Sequence, residues 1–556
     1  MKTKFIIGFI CLSTCTFGQG FLAKSLAKLA KMAGSANVVE VSTLDDITPT
    51  ITIGSNLYPK EVGTISQTFF TGWVPGGDMI NIMLSKKNTA GFVKVDGSVT
   101  IDGMVAEYVT SGMYSLITVA NKSPRKVEIT TKSGQKSSFI IEPYNNPVKL
   151  ISINGNNGNN VSVDLTKDVV LEIESDEVSS HKPLRVSIAI NQLGIKSFYQ
   201  VCNTKLGTKV TIPAAAFRNI NIKPGNDLVY NYKNSFIQIG IENIESAKNI
   251  TGVINEIKYT KMYEDGKFVT ITTEPNLNKG LSSKGEDKAT RMNYDFTKAN
   301  AFLSRPSSQI SKVGLISLAI RGTTFEEYSN TETNSSSFTA GGIKTTTTTT
   351  KTTITKLEFP QQPNEVWDAV LERVYPDVMK VLNEEFSSTT VPLESITNCA
   401  AYKFYENASN DNKNTKVNFS RAYKNTKLIS AFMPVSEGYG INGTHAKIMK
   451  ESGANALFTM TIDLEISESK DGKVLMVPKF AFELIGAPNG NNTNTKYFTG
   501  KAESITGVPF KTTLSVDDIE SIIRKSDMLK VFTKALRELK EKELSNGDYK
   551  TVWELQ

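Results

Sequence analysis

The feature that most constrains this chain is a change of hydrophobic period near residue 312. From Val38 to about Glu274, apolar residues alternate with polar ones in short runs such as Phe92-Val93-Lys94-Val95, Tyr114-Ser115-Leu116-Ile117, Val127-Glu128-Ile129 and Val161-Ser162-Val163. Gly, Asp, Asn and Ser-Pro turns separate them. Alternation of this kind gives each strand one apolar face, so sheets must stack on one another, as in a β-sandwich. Val313 to Ile320 is instead a continuous apolar run, the pattern of a strand covered on both faces, and helices follow it. A chain of 556 residues is also long enough for three or four cores at about 150 residues each. The expected fold is therefore multidomain, with one β-sandwich over 38–146 and a second over 147–274. The second ends in an Ile257–Thr272 hairpin turned at Asp265-Gly266. A Gly- and Lys-punctuated linker over 275–311 and an α/β domain over 312–556 complete the expectation.

The N-terminus reads as an export signal over residues 1–18. Lys2 and Lys4 precede the apolar stretch Phe5 to Leu12, and Thr16-Phe17-Gly18 places small residues before Gln19. Lipidation at Cys15 is the rival, although Thr14 is a poor residue before a lipidated cysteine. The Phe-Gly-Gln ending resembles export signals of Gram-negative bacteria, which implies the periplasm, the outer-membrane periphery or the cell surface. An amphipathic helix is predicted over 19–37. Leu22, Leu26 and Leu29 form its apolar stripe, with Lys24, Lys28 and Lys31 opposite, a pattern that suits either an anionic bilayer surface or packing on protein.

In the C-terminal part, Asn364 to Phe386 is a predicted helix capped by Asn364, with Val366, Val370, Val374, Val378 and Val381 on its apolar side. A second helix, Thr444 to Ser452, stops at Gly453 and leads into the strand Ala456 to Ile462. Ser515 and Asp518 have the spacing of a capping box. Between the first strand and the first helix lies an insertion over 326–356 that contains Thr345 through Thr350. Threonine on both faces of a ribbon offers no lipid-facing side, so the expectation is a protruding polar strand pair or a loop.

Two resemblances carry the functional reading. The strands from Val95-Asp96-Gly97 to Ile141, with their Lys132-Ser133-Gly134 turn, resemble immunoglobulin-like modules of bacterial surface proteins. The C-terminal order includes Val313-Gly314-Leu315-Ile316, a long helix, Glu451-Ser452-Gly453-Ala454-Asn455-Ala456, a long hairpin and terminal helices. It resembles the α/β domain of the curli-secretion lipoprotein and of penicillin-binding-protein activator lipoproteins. That resemblance implies a non-enzymatic envelope protein that works through its partner surface, often as an oligomer at the outer membrane. Asn455 stands where those families have Asp. On this reading Trp367 and Tyr375, eight residues apart on one helix, are the candidate partner surface.

Other chemistries find little support. Two histidines, His181 and His445, cannot build a His-rich metal site. Gly438-x-Gly440-x-x-Gly443 with Asp463 fits a dinucleotide fingerprint in spacing, but Glu437 would repel a pyrophosphate. No cofactor is expected. Without Lys2 and Lys4 there are 61 basic and 56 acidic side chains, spread along the chain, so no nucleic-acid partner is expected. Cys202 and Cys399 are expected as separate buried thiols. Asp368, Glu372, Asp377, Glu384 and Glu385 read as solvated helix charges. The expected function is a scaffold or accessory subunit of an outer-membrane assembly, with envelope proteins or further copies of the chain as partners. The alternatives are an adhesin or glycan binder, for which Trp73, Tyr108, Tyr144 and Tyr199 are candidate stacking residues, and an exported hydrolase.

Overall fold

The computed structural model describes residues 38–56, 77–86, 92–110, 112–178, 182–192, 195–220, 231–340, 343–405, 417–429, 443–469, 471–488 and 495–555. The expected export signal, the expected helix over 19–37, Trp73 and Gly438 to Asn442 lie outside them. The fold is mostly β, in several sheets.

The N-terminal half is organised by one eleven-stranded sheet. Four of its strands carry the argument: β1 (Ile47–Ser55), β2 (Asn160–Asp164), β3 (Asn231–Ser246) and β4 (Lys258–Thr273). The sixteen-residue β4 pairs with β3 from Lys258 to Val269. On its other edge it pairs first with β1, Tyr259 opposite Ile51 through Tyr263 opposite Ser55, and then with β2 from Phe268 onward. Alternate residues bury Ile51, Ile53, Ile80, Ile82 and Tyr259 in one core, and Ile237, Ile239, Ile241, Val269 and Ile271 in the next. A five-stranded sheet carrying Val99, Ile101, Val127, Ile129, Phe139 and Ile141 closes the first core. A three-stranded sheet carrying Leu150, Leu171, Ile173, Val210 and Ile212 closes the second.

Two expectations are corrected here. Asp265-Gly266 is not a hairpin turn, because β4 runs straight through it and Gly266 has no positive φ. Its glycine is needed for close approach: a Cβ would lie 2.5 Å from both the Ile237 carbonyl oxygen and a Phe236 ring carbon. The boundary at 146/147 does not divide two self-contained units either. Ala247, Ile254, Ile257 and Tyr259 belong to the first core, and Lys248–Gly252 forms an edge of its closing sheet.

The expected linker over 275–311 is also corrected. It contains a hairpin, β5 (Leu281–Asp287) and β6 (Met292–Lys298), that edges a nine-stranded mixed sheet. Met292, Tyr294 and Phe296 are buried, alternating with exposed Asn293, Asp295 and Thr297. The Phe296 ring stacks 5.4 Å from Phe482.

The sheet continues through β7 (Lys312–Thr323), β10 (Val417–Ala422), β11 (Ala456–Glu468), β12 (Val474–Gly486) and β13 (Thr495–Ser504). Strands β8 (Phe325–Ala340) and β9 (Ile343–Leu357), between β7 and β10 in the chain, form a separate ribbon. The path runs β5-β6-β13-β12-β11-β7, with β7 and β11 parallel and β10 against the distal part of β7. Every β7 residue from Val313 to Thr323 is buried, as its apolar run predicts.

Helices numbered along the whole chain begin with α1 (Ala214–Arg218), which packs on the second core through Ala216 and Phe217. One face of the nine-stranded sheet carries α2 (Asn364–Phe386), α5 (Val516–Ile523) and α6 (Lys525–Asn546). The other face is covered near Ile316 and Leu457 by α3 (Leu393–Thr397) and α4 (Thr444–Ser452). The chain closes with the short α7 (Asp548–Glu554). Asn364 is the first residue of α2 rather than its cap, because Pro363 takes the cap position. The Ser515–Asp518 capping box is present, and Gly453 ends α4 at φ +73°.

Lys298 makes one part of this unit sensitive to pH. Its side chain is buried, with Nζ donating to the Arg305 carbonyl at 2.6 Å and the Tyr497 carbonyl at 3.2 Å, and 3.2 Å from Glu543. Burial pulls its ammonium down to about 8, against the opposing pull of Glu543. The folded chain then releases this proton near pH 8, while the unfolded chain holds it to its ordinary value of 10.5. The unfolded state binds more protons in that window, so this lysine's contribution to stability rises with pH there and is constant below it. The melting temperature, measured against Lys298→Met, is expected to climb between about pH 8 and 10. Parallel curves for the two proteins would contradict it.

Candidate assembly surface

The Thr-rich insertion forms the two-stranded ribbon β8 (Phe325–Ala340) and β9 (Ile343–Leu357). Register runs from Phe325 opposite Leu357 to Ala340 opposite Ile343, with one shift between Ser329 and Thr331. Among the described residues neither strand pairs with any other, so both outer edges keep their backbone donors and acceptors open. At about 3.3 Å per residue the ribbon is about 50 Å long. Ser335 to Thr339 are five consecutive exposed residues, and the three residues Thr346 to Thr348 across from them are exposed as well. Since successive residues point to opposite faces, this stretch is uncovered on both sides. Phe338 is 73% exposed there. A lone two-stranded ribbon is marginal in water, so this one has every backbone reason to pair with another chain.

Its root is built differently. Phe359, just past β9, lies 5.7 Å from the Phe419 ring of β10, and Trp367 of α2 stacks on Phe419 at 4.3 Å. Gly322, where β7 leads toward the ribbon, admits that ring: a Cβ there would fall 2.1 Å from a Phe419 ring carbon. Asn418 clamps the returning strand, accepting from the Phe359 N–H at 3.3 Å and donating to its carbonyl at 2.8 Å.

Charge fixes the root from the opposite face. Arg321 of β7, Asp463 of β11, Lys479 of β12 and Glu503 of β13 stand directly opposite one another across four strands, alternating in sign. Arg321 donates twice to Asp463, Nε to Oδ1 and Nη2 to Oδ2, each at 2.6 Å, with both residues buried. Lys479 lies 2.7 Å from Glu465 and 3.8 Å from Glu503. Asp463, the candidate ribose partner of the glycine motif, is therefore engaged with Arg321. Neither this row nor the aromatic root figured in the sequence reading. The available signal was a single arginine ending an apolar run and a single aspartate within another.

Trp367 is corrected as a partner-surface residue, because it is 2% exposed and belongs to the main core. Tyr375 is half-buried and stacks on Tyr423 at 4.8 Å. It lines a shallow groove of ≈450 Å³ with Pro376, Met379, Lys380, Asn383, Glu384 and Thr390. One edge strand and the residue after it thus pin both rings of α2, and only Tyr375 stays in reach of solvent.

The remaining candidates are dispersed. Tyr144 is buried, Tyr108 packs edge-on against Tyr114 at 5.2 Å, and Tyr199 packs on the second core, so these three do not form an open stacking platform. The helix carboxylates are engaged: Asp368 with Arg421, Glu372 with Lys424, Asp377 with Lys525, Glu384 with Lys380 and Glu385 with Arg537. Cys202 and Cys399 are free buried thiols, and burial raises Cys202 to about 12, far from thiolate reactivity. His445 is buried 5.8 Å from the Tyr405 ring. Among the described residues no group of three or more His, Cys, Asp or Glu is placed to hold a metal, and no helix is long and apolar enough to cross a membrane.

Comparison with family models gives no match, and neither does comparison with curated proteins. Among solved structures, a Parabacteroides merdae β-glucuronidase aligns at 6% identity over 39% of this chain and 24% of that chain. Its TM-score of 0.10 is too low to carry an argument about fold or function.

Proposed function

We infer that the chain is an exported, non-enzymatic protein of a Gram-negative cell envelope. It serves as a scaffold or accessory subunit of an outer-membrane assembly, with envelope proteins or further copies of itself as partners. In this reading the two sandwiches are immunoglobulin-like, and the C-terminal unit is an α/β domain of the curli-secretion and penicillin-binding-protein-activator kind. The segment over 19–37, with its Leu and Lys residues, supplies peripheral membrane contact. The observation that carries the reading is the ribbon, whose edges and exposed faces are open while its root is held by packed rings and buried charge. Such a part contributes little to its own domain and much to a neighbour that completes the sheet.

The test replaces residues 330–352 by Asn-Gly, joining Ser329 to its register partner Thr353. Stability is expected to change by less than about 0.5 kcal/mol, the usual size for a change away from the core. The variant is expected to lose the envelope proteins that the intact chain retains from outer-membrane extract. A fall above about 2 kcal/mol would place the ribbon in the core. Unchanged retention of partners would remove the ribbon from the assembly, and retention on glycans instead would favour an adhesin.

A further inference from the structure

We propose that α7 is a detachable strap that locks the two-sandwich unit to the ribbon-bearing domain and, when it opens, lets one swing against the other. This inference stands independently of the assembly reading. It rests on how narrow the junction is. Among the described residues, hydrogen bonds at Arg218, Asn219 and Ile220, at the end of α1, and from Asn278, whose Nδ2 lies 3.5 Å from Asp548 Oδ2, join the second sandwich to the chain beyond Lys279. Arg218 and Asn219 both donate to the buried Asp548 carboxylate, Asn219 Nδ2 at 2.9 Å. The Ala301 N–H donates to Asn219 Oδ1 at 2.9 Å, and Asn300 donates to the Ile220 carbonyl at 3.1 Å.

The apolar part of the junction is equally small. Ala301, Tyr549, Val552 and Trp553 form a cluster separate from the large cores, and Leu555 rests on the second sandwich. The rings are oriented by a few hydrogen bonds to the segment before β7, Trp553 Nε1 also reaching the Ser304 carbonyl at 3.0 Å. Tyr549 donates to the Ala299 carbonyl at 2.6 Å, and Trp553 Nε1 to the Ala301 carbonyl at 2.7 Å. A cluster of four side chains is a far weaker cooperative unit than the core beside it, and small polar junctions between domains open most readily.

The flanking chain is suited to such opening. Gly547, at φ +70°, separates α7 from α6 and provides a hinge that other residues would adopt only with strain. Before the hinge, α6 is fastened independently, because Glu543 accepts from the Ser307 N–H and hydroxyl at 2.7 and 2.6 Å. Release of α7 therefore leaves the nine-stranded sheet and its helices intact. The second sandwich then stays attached by the covalent segment after β4, where the Asn278 N–H donates to the Arg218 carbonyl at 2.8 Å, and by the two hydrogen bonds that Ala301 and Asn300 make to Asn219 and Ile220.

Hydrogen exchange on the full chain tests the strap without altering it. Amides of Thr551 to Glu554 are expected to exchange about 100-fold faster than those of Val531 to Leu539 in α6, as a locally opening unit does. Equal protection of the two helices would overturn the proposal. Asp548→Ala is then expected to broaden the distance distribution in small-angle scattering and to raise the radius of gyration, while the circular dichroism spectrum stays that of the intact chain. Faster exchange at α7 with unchanged scattering would show that the helix restrains nothing, and would equally overturn it.

Discussion

A fragment ending at residue 146 is expected not to fold, whereas one spanning 38–274 is expected to unfold in a single cooperative transition. The short fragment lacks β4, so β1 loses its parallel partner from Ile51 to Ser55. It also lacks Ala247, Ile254, Ile257 and Tyr259 from the first core, and the edge strand Lys248–Gly252 of the closing sheet. Each large apolar side chain contributes about 1.5–3 kcal/mol when buried, and a whole domain has only about 5–15 kcal/mol to lose. Removing them together with a strand pairing exhausts that margin. Circular dichroism and urea titration of the two fragments decide it. Cooperative unfolding of 38–146 alone would show that the sandwiches are independent after all.

The second large effect concerns the root of the ribbon. Arg321→Met is expected to cost about 3–5 kcal/mol, because it leaves the Asp463 carboxylate buried without its ionic partner. The double change Arg321→Met with Asp463→Leu is expected to recover most of that loss, since an apolar pair of similar volume avoids the desolvation of both charges. Chemical denaturation of the wild type, the two single variants and the double variant measures the coupling. A single-variant cost below about 1 kcal/mol would mean that the pair behaves as a surface salt bridge.

What the sequence made legible followed from period and capping. The Val127/Ile129 and Val161/Val163 alternations place their strands on stacked sheets, and the Val313 run, the Ser515–Asp518 cap and Gly453 place theirs in the C-terminal sheet and helices. What remained hidden depended on partners distant in the chain. Asp265-Gly266 has the composition of a tight turn, and only the close approach of Phe236 from β3 reveals why glycine stands in a straight strand. Met292, Tyr294 and Phe296 alternate as clearly as any strand, but the glycines and lysines before them suggested a linker. Trp367 shows the limit at the candidate site: a ring on a helix face is equally suited to core or interface, and the Phe419 ring that covers it comes from an edge strand 52 residues later.

On the assembly reading, a partner completes the ribbon's open edges. Amide exchange from Thr331 to Ala340 and from Ile343 to Thr352, compared between the isolated chain and the chain in its envelope assembly, tests this most directly. Alone, these amides are expected to exchange within about tenfold of an unstructured peptide, as open edges and a marginal ribbon require. In the assembly they are expected to slow by at least about 100-fold, as new backbone hydrogen bonds form along the edges. Strong protection in the isolated chain, or no added protection in the assembly, would contradict it.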